Sequence, residues 1–207
     1  MRRRLGIALA TLLAIAAGVA SASALTSSSG SDTVNGPEAV QPDGRGASLP
    51  TTVADPDGGT AWAVRVYRSQ AGLTCPEAGR IKDGNFGQVD SDGDFRSLDI
   101  EAAGSCADLA KAPMALAVNH YPPTGKLPAR AVIFGVAPAT VSGLRLTTAA
   151  SARALTLRSG AFIAVVRDDA LSGATLEATL GDGSTKSYAL APASFPADAG
   201  PEDPATR

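Results

Sequence analysis

Polar and apolar residues alternate along this chain with a period of two, the spacing of a strand with one buried face, rather than with the 3.6 residues of a helix. Trp62, Val64 and Val66 interleave with Ala63, Arg65 and Tyr67, and Leu176, Ala178 and Leu180 with Thr175, Glu177 and Thr179. Each spacing predicts a strand. Leu144 with Leu146 and Leu155 with Leu157 predict two more, and Ala161 to Val166, apolar at every position, predicts a central strand covered on both faces. After Leu180 come Gly181, Asp182, Gly183 and Ser184, then Lys186, Tyr188 and Leu190, which predicts a tight hairpin. Further strands are expected over Thr60 to Arg68, Phe95 to Ile100, Met114 to Tyr121 and Ala129 to Phe134. One short helix is expected, from Cys106 to Lys111, with Ser105 as its cap and Asp108 at the reciprocal position. Short strands between Gly, Pro and Asp turns predict an all-β sandwich.

The pattern stops at both ends. Eight of the nine aromatic residues, both cysteines and the single histidine lie between residues 59 and 191, so the folded domain is expected there. Residues 25–58 are Ser, Gly, Asp and Pro with scattered Val34, Val40, Leu49 and Val53. They predict a disordered tether, because so little apolar surface does not offset chain entropy. Residues 192–207, with four prolines, predict a loose tail in which Phe195 alone has something to dock. At the start, Arg2, Arg3 and Arg4 precede an uncharged apolar run from Leu5 to Ala20, and then Ser21, Ala22, Ser23 and Ala24. This is the order of a signal peptide over residues 1–24, cleaved after Ala22 or Ala24. The alternative is an uncleaved N-terminal anchor, since Leu25 extends a run that is otherwise short for a bilayer.

Charge and cysteine usage narrow the picture. The formal charge is −2, and −5 without the three leading arginines, which speaks against nucleic acid or anionic lipid as partner. Only Cys75 and Cys106 are present, an even count that in an exported chain predicts one disulfide. No C-x-x-C spacing and no second histidine supports zinc or redox chemistry.

Gly72-Leu73-Thr74-Cys75, Gly79-Arg80, Asp83-Gly84, Gly87, Gly93 and Phe95 form a pattern that resembles uncharacterised exported actinobacterial proteins. The later Phe134-Gly135-Val136-Ala137-Pro138, Gly160-Ala161-Phe162 and Gly181-Asp182-Gly183 resemble the immunoglobulin-like β modules of the same proteins. The resemblance implies an immunoglobulin-like β-sandwich outside the cytoplasm. It implies no activity.

Candidate chemistry is sparse. Asp90, Asp92 and Asp94, with Glu101 eleven residues beyond Asp90, have the offsets of calcium ligands at loop positions 1, 3, 5 and 12. Position 6, which needs glycine for its sharp turn, is Phe95, and the glycine falls one place after Asp92. The competing expectation is an acidic turn whose Asp side chains bond nearby amides. His120 is the one histidine available to any Ser-His-Asp or Cys-His mechanism. Alternation places it on a face with Leu116 and Val118. No G-x-S-x-G or S-x-x-K names a nucleophile, and Asp168 and Asp169 would point to opposite sides of an extended chain. Glu77, Glu101 and Glu177 are scattered, and the glycines from Gly79 to Gly87 lack a P-loop lysine. Trp62, Tyr67 and Tyr121 are candidates for a platform under a sugar or peptide, and equally for the core. No cofactor motif is present. The leading expectation is a non-catalytic exported module that binds or serves a structural role at the cell envelope. A small secreted hydrolase centred on His120 and a calcium-stabilised structural domain are the alternatives.

Overall fold

A computed structural model describes residues 40–90, 93–100, 106–123 and 128–192. Among them are twelve strands, one 3-10 turn over Asp168–Leu171 and no α-helix. All pairing is antiparallel, in three sheets. The first has the order β1 (Pro42–Val53), β2 (Ala61–Ser69), β3 (Thr74–Lys82), β4 (Asn85–Val89), β5 (Phe95–Ser97). In the second, β7 (Arg130–Val136) lies between β10 (Ala161–Arg167) and β6 (Ala115–Tyr121). The third runs β12 (Thr185–Ala189), β11 (Thr175–Leu180), β8 (Val141–Thr147), β9 (Ala152–Leu155).

The second sheet is the middle layer of a stack. Alternate residues of β7 and β10 (Ala131, Ile133, Phe162, Ala164) pack with Leu144, Leu146, Leu176 and Ala178 of the third sheet. Their neighbours (Val132, Phe134, Val136, Ile163, Val165) pack with Trp62, Val64 and Ala78 of the first. A strand covered on both faces needs apolar side chains at every position, which is why β7 is buried throughout and why Ala161 to Val166 carries no polar residue. The expected central strand at 161–166 is thus covered as foreseen, but β10 lies at one end of its sheet and β7 takes the middle. At Gly135 the approach is so close that a Cβ would collide with the Ala115 carbonyl and with the Phe162 ring.

The all-β antiparallel expectation holds, as does the hairpin joining β11 to β12, where Leu180 donates to Ser184 and Gly183 has φ +84°. Several expectations are corrected. Residues 42–53 of the expected tether are strand β1, paired with β2 from Pro42↔Ser69 to Val53↔Trp62. Its side chains are mostly exposed, so an edge strand held by its backbone ladder leaves little apolar signature. Gly79 and Gly87 stand inside β3 and β4 because the rings of Phe86 and Phe95 lie where their side chains would be. The turn between those strands is Asp83-Gly84, both with positive φ. The strand expected over 95–100 ends at Ser97, since the carbonyls of Leu98 and Asp99 accept from the buried Arg65 guanidinium instead of continuing a ladder.

No helix forms from residue 106. Cys106 is bonded to Cys75 and Ala107 exchanges two backbone hydrogen bonds with Thr74, so both stay extended beside β3. Only a turn remains, in which Asp108 accepts from the amides of Ala110, Lys111 and Ala112. The expected cap Ser105, residues 1–39 and residues 193–207 lie outside the described residues. The disulfide is the kind of bond that persists in an oxidising, extracytoplasmic compartment. Among the described residues no helix is long and apolar enough to cross a membrane.

Candidate functional site

Asp55-Pro56-Asp57-Gly58 turns the chain from β1 into β2. Proline presets the second turn position and the Gly58 amide donates to the Asp55 carbonyl, 3.0 Å away. This turn drives the Asp55 side chain inward, where it is fully buried. Its Oδ1 accepts from the Asp57 amide and Arg130 Nε, both at 3.0 Å, and its Oδ2 from Trp62 Nε1 at 3.0 Å and Arg80 Nη1 at 2.7 Å. One carboxylate therefore ties the β1–β2 turn, β2 and β3 of the first sheet to the first residue of β7 in the middle sheet.

Burial alone would raise the pKa of Asp55, but these hydrogen bonds, the Asp57 amide foremost and then Arg130, Arg80 and Trp62, hold it below the ordinary carboxylate value. Burial pushes Arg80 below the usual arginine range, and Asp55 opposes it. The Arg130 Nη2 atom lies 2.9 Å from Asp55 Oδ1 and 2.9 Å from Asp57 Oδ2. Neither contact has hydrogen-bond geometry, so this buried nitrogen is held by charge alone.

Beside this cluster, between the first and middle sheets, is a pocket of about 250 Å³. The tips of β3 and β4, the β4–β5 turn and the ends of β6 and β7 line it, through Arg80, Gln88, Asp90, Tyr121, Pro128 and Arg130 among others. Arg80 stacks over the Trp62 ring at 3.6 Å, and Tyr121 meets that ring edge-on at 4.8 Å between centroids. Of the three aromatics expected in a platform, Trp62 and Tyr121 come together and Tyr67 does not. Tyr67 is on the opposite face of β2 and donates to the Val40 carbonyl. Trp62 is only 2% exposed, so it supports the pocket rather than offering a surface. Burial raises the Tyr121 phenol above its ordinary value of 10.0, against a side-chain hydrogen bond with Asn119 and the charge of Arg80, which lower it.

No family model, curated protein or solved structure matches this chain.

His120 lies on the other face of β6. Alternation placed it with Leu116 and Val118, and those two pack toward the third sheet. Its Nδ1 meets Asp168 Oδ1 at 2.5 Å. Asp168 is buried because the chain leaves β10 in a 3-10 turn there, so Asp168 and Asp169 are not on an extended segment as expected. Asp168, Asp169 and Ser172 line a second, wider hollow of about 510 Å³; His120 is not part of that lining. Among the described residues no hydroxyl hydrogen-bonds to His120.

Of the four calcium candidates, Asp92 and Glu101 lie outside the described residues. Asp90 Oδ1 accepts from the Asp94 amide at 2.9 Å and its Oδ2 pairs with Arg96 at 3.0 Å, in the turn between β4 and β5 where Gly93 has φ +90°. Among the described residues no three acidic, cysteine or histidine side chains converge as metal ligands.

Sequence reading did not single out Asp55, Asp57, Gln88 or Arg130 for the site. Two signals pointed there: the Asp-Pro-Asp-Gly turn inside an apparent tether, and an arginine opening a strand that is otherwise wholly apolar, where a charge demands a buried partner.

Proposed function

We propose that this chain is a non-catalytic exported binding module of the cell envelope, and that the pocket beside Asp55 is where it binds. The observation that carries the reading is a concave site whose walls are fixed by a buried charge cluster while polar atoms stay open to the pocket. Arg80 uses Nη1 for Asp55 and the Thr60 carbonyl, and its Nε and Nη2 have no partner among the described residues. Gln88 stands exposed at the rim. Such preorganisation lowers the ordering cost of binding. Export is supported by the arginine-led apolar run at residues 1–24 and by the Cys75–Cys106 disulfide. The immunoglobulin-like reading is supported by β6 to β12, whose two packed sheets have the three- and four-strand memberships of a constant-type domain followed from its C-terminus: β12-β11-β8-β9 against ABED, and β10-β7-β6 against CFG. The chain runs the other way through that arrangement and adds a third sheet in front.

The test is cosedimentation of the full chain with insoluble actinobacterial cell walls. Binding that Gln88→Ala or Val89→Arg weakens at least several-fold supports the reading. Both residues are exposed, so these variants keep the fold. Binding indifferent to both changes, or none, refutes it.

The His120–Asp168 contact favours a second reading, a secreted hydrolase, because a buried carboxylate on Nδ1 fixes an imidazole as it does in nucleophile-base-acid triads. Hydrolysis of p-nitrophenyl acetate above the buffer rate, lost in a folded His120→Ala variant, would establish it over the binding module. Turnover unchanged in that variant would remove it.

A further inference from the structure

We infer that the pocket beside Asp55 takes a neutral saccharide, one ring at a time, an inference that rests on the binding reading above and names its ligand class.

Charge comes first. Two arginines line the pocket, but Asp55 and Asp57 stand against them, and Asp90 at the rim is paired with Arg96. Among the described residues every charged side chain lining the pocket is already in an ion pair, so no unpaired charge is left to attract an anion or a cation. What remains is directional. Arg80 Nε and Nη2 donate, and the Gln88 amide and the Tyr121 hydroxyl both donate and accept. A hydroxyl also donates and accepts, so a ring carrying several vicinal hydroxyls can match such a mixed set, whereas a phosphate or carboxylate can use only the donors.

The apolar part of the lining is suited to the same ligand. Tyr121, Pro122, Pro128 and Val89 present carbon surface next to these polar atoms. A sugar ring has one face of C–H groups and an equator of hydroxyls. At about 250 Å³ the pocket is below the roughly 300–1,000 Å³ typical of sites for drug-sized ligands, which limits it to something near a single ring.

A peptide suits the site less well. Peptides laid against sheets are held mainly by backbone ladders at a free edge. The strands contributing Gly79, Arg80 and Gln88 are both paired on each side, β3 with β2 and β4, and β4 with β3 and β5. Along the pocket the β3–β4 ladder ends at Arg80↔Gly87, and the lining positions beyond it, Gly79, Gln88 and Val89, are too few for a peptide ladder, so recognition falls to side chains.

Trp62 is the only tryptophan in the chain and sits under Arg80 at the pocket, so its emission reports on occupancy without a label. The full chain, with its disulfide formed, would be titrated with methyl glycosides of glucose, galactose, mannose, arabinose and N-acetylglucosamine. Parallel titrations would use glucuronic acid, inorganic phosphate and a proline-rich peptide. The inference expects a saturable shift of Trp62 emission with at least one neutral glycoside, weakened about tenfold or more in Gln88→Ala, and at least fivefold tighter than with glucuronic acid or phosphate. Tyr121→Phe, which keeps the ring and removes the hydroxyl, should weaken it while preserving the melting temperature. A saturable response to the anions or the peptide with none to the neutral glycosides overturns the saccharide assignment and leaves the pocket as a binding site. No response in any arm, together with cell-wall binding that ignores Gln88→Ala, overturns both.

Discussion

Replacing Asp55 with Asn tests the structural core of this account. The change is nearly isosteric, so no cavity forms, but the charge facing two buried guanidinium groups disappears. Arg130 is 3% exposed, and the Arg80 side chain 13%. The amide oxygen can still accept from one or two of the four present donors, while the new NH2 group faces other donors. Breaking a buried ion pair from one side costs about 3–5 kcal/mol, because the remaining charge stays desolvated and uncompensated. For a folded unit of this size each kcal/mol moves the melting temperature by about 2–4 °C, so Asp55→Asn should lower it by roughly 6–20 °C. The assay is thermal unfolding by circular dichroism at neutral pH, with urea unfolding of the same samples to give the free-energy change. Combining Asp55→Asn with Arg130→Met should cost less than the sum of the single changes, since the partners are in direct contact. A single-variant change within about 0.5 kcal/mol of zero would refute the reasoning, for it would mean that the carboxylate is not what holds the arginines.

The same carboxylate predicts a pH dependence. Its pKa is held below the unfolded value, so its contribution is present above that value, near 3.9, and is lost as pH falls through the lower folded value. Acid titration of stability should show a drop below about pH 4 that is smaller in Asp55→Asn. Reducing the Cys75–Cys106 bond, which closes a loop of sequence separation 31, should cost about 3–4 kcal/mol in the chain-entropy model, read as a lower urea midpoint in dithiothreitol. Gly135→Ala should fail to give a soluble folded chain or should destabilise it by more than about 3 kcal/mol, because its methyl meets the Ala115 carbonyl and the Phe162 ring; Gly183→Ala, in open space but at positive φ, should cost only about 1 kcal/mol in the same unfolding assay. Millimolar calcium should leave the melting temperature unchanged if Asp90 is spent on the Asp94 amide and Arg96, and a rise abolished by Asp94→Ala would restore the calcium domain.

Legibility in the sequence followed burial. β2, β7, β8, β10 and β11 bury alternating or continuous apolar residues and were readable from period alone. β1 is held by backbone hydrogen bonds at a sheet edge, and a ladder leaves no mark on side-chain polarity. β3 and β4 were hidden for a different reason: Gly79 and Gly87 look like turn residues, yet each is required by an aromatic ring from the adjacent strand. That is a tertiary contact, which spacing along one strand does not encode. The site was half legible. Trp62 and Tyr121 were among the candidates, but their partner Asp55 lay in a stretch read as tether, and Arg80 and Arg130 come together with it only when two sheets stack. His120 gained a carboxylate partner in Asp168 because a 3-10 turn, which no periodicity marks, folds that residue inward.

The most direct measurement is a map of amide chemical-shift changes in the full, isotope-labelled chain as a solubilised cell-wall polysaccharide is added. The account predicts saturable changes clustered at Gly79, Arg80, Gln88, Val89 and Tyr121, with the amides around Asp168 and Ser172 unmoved. Changes centred on His120, Asp168 and Ser172, or none at any residue, would contradict it.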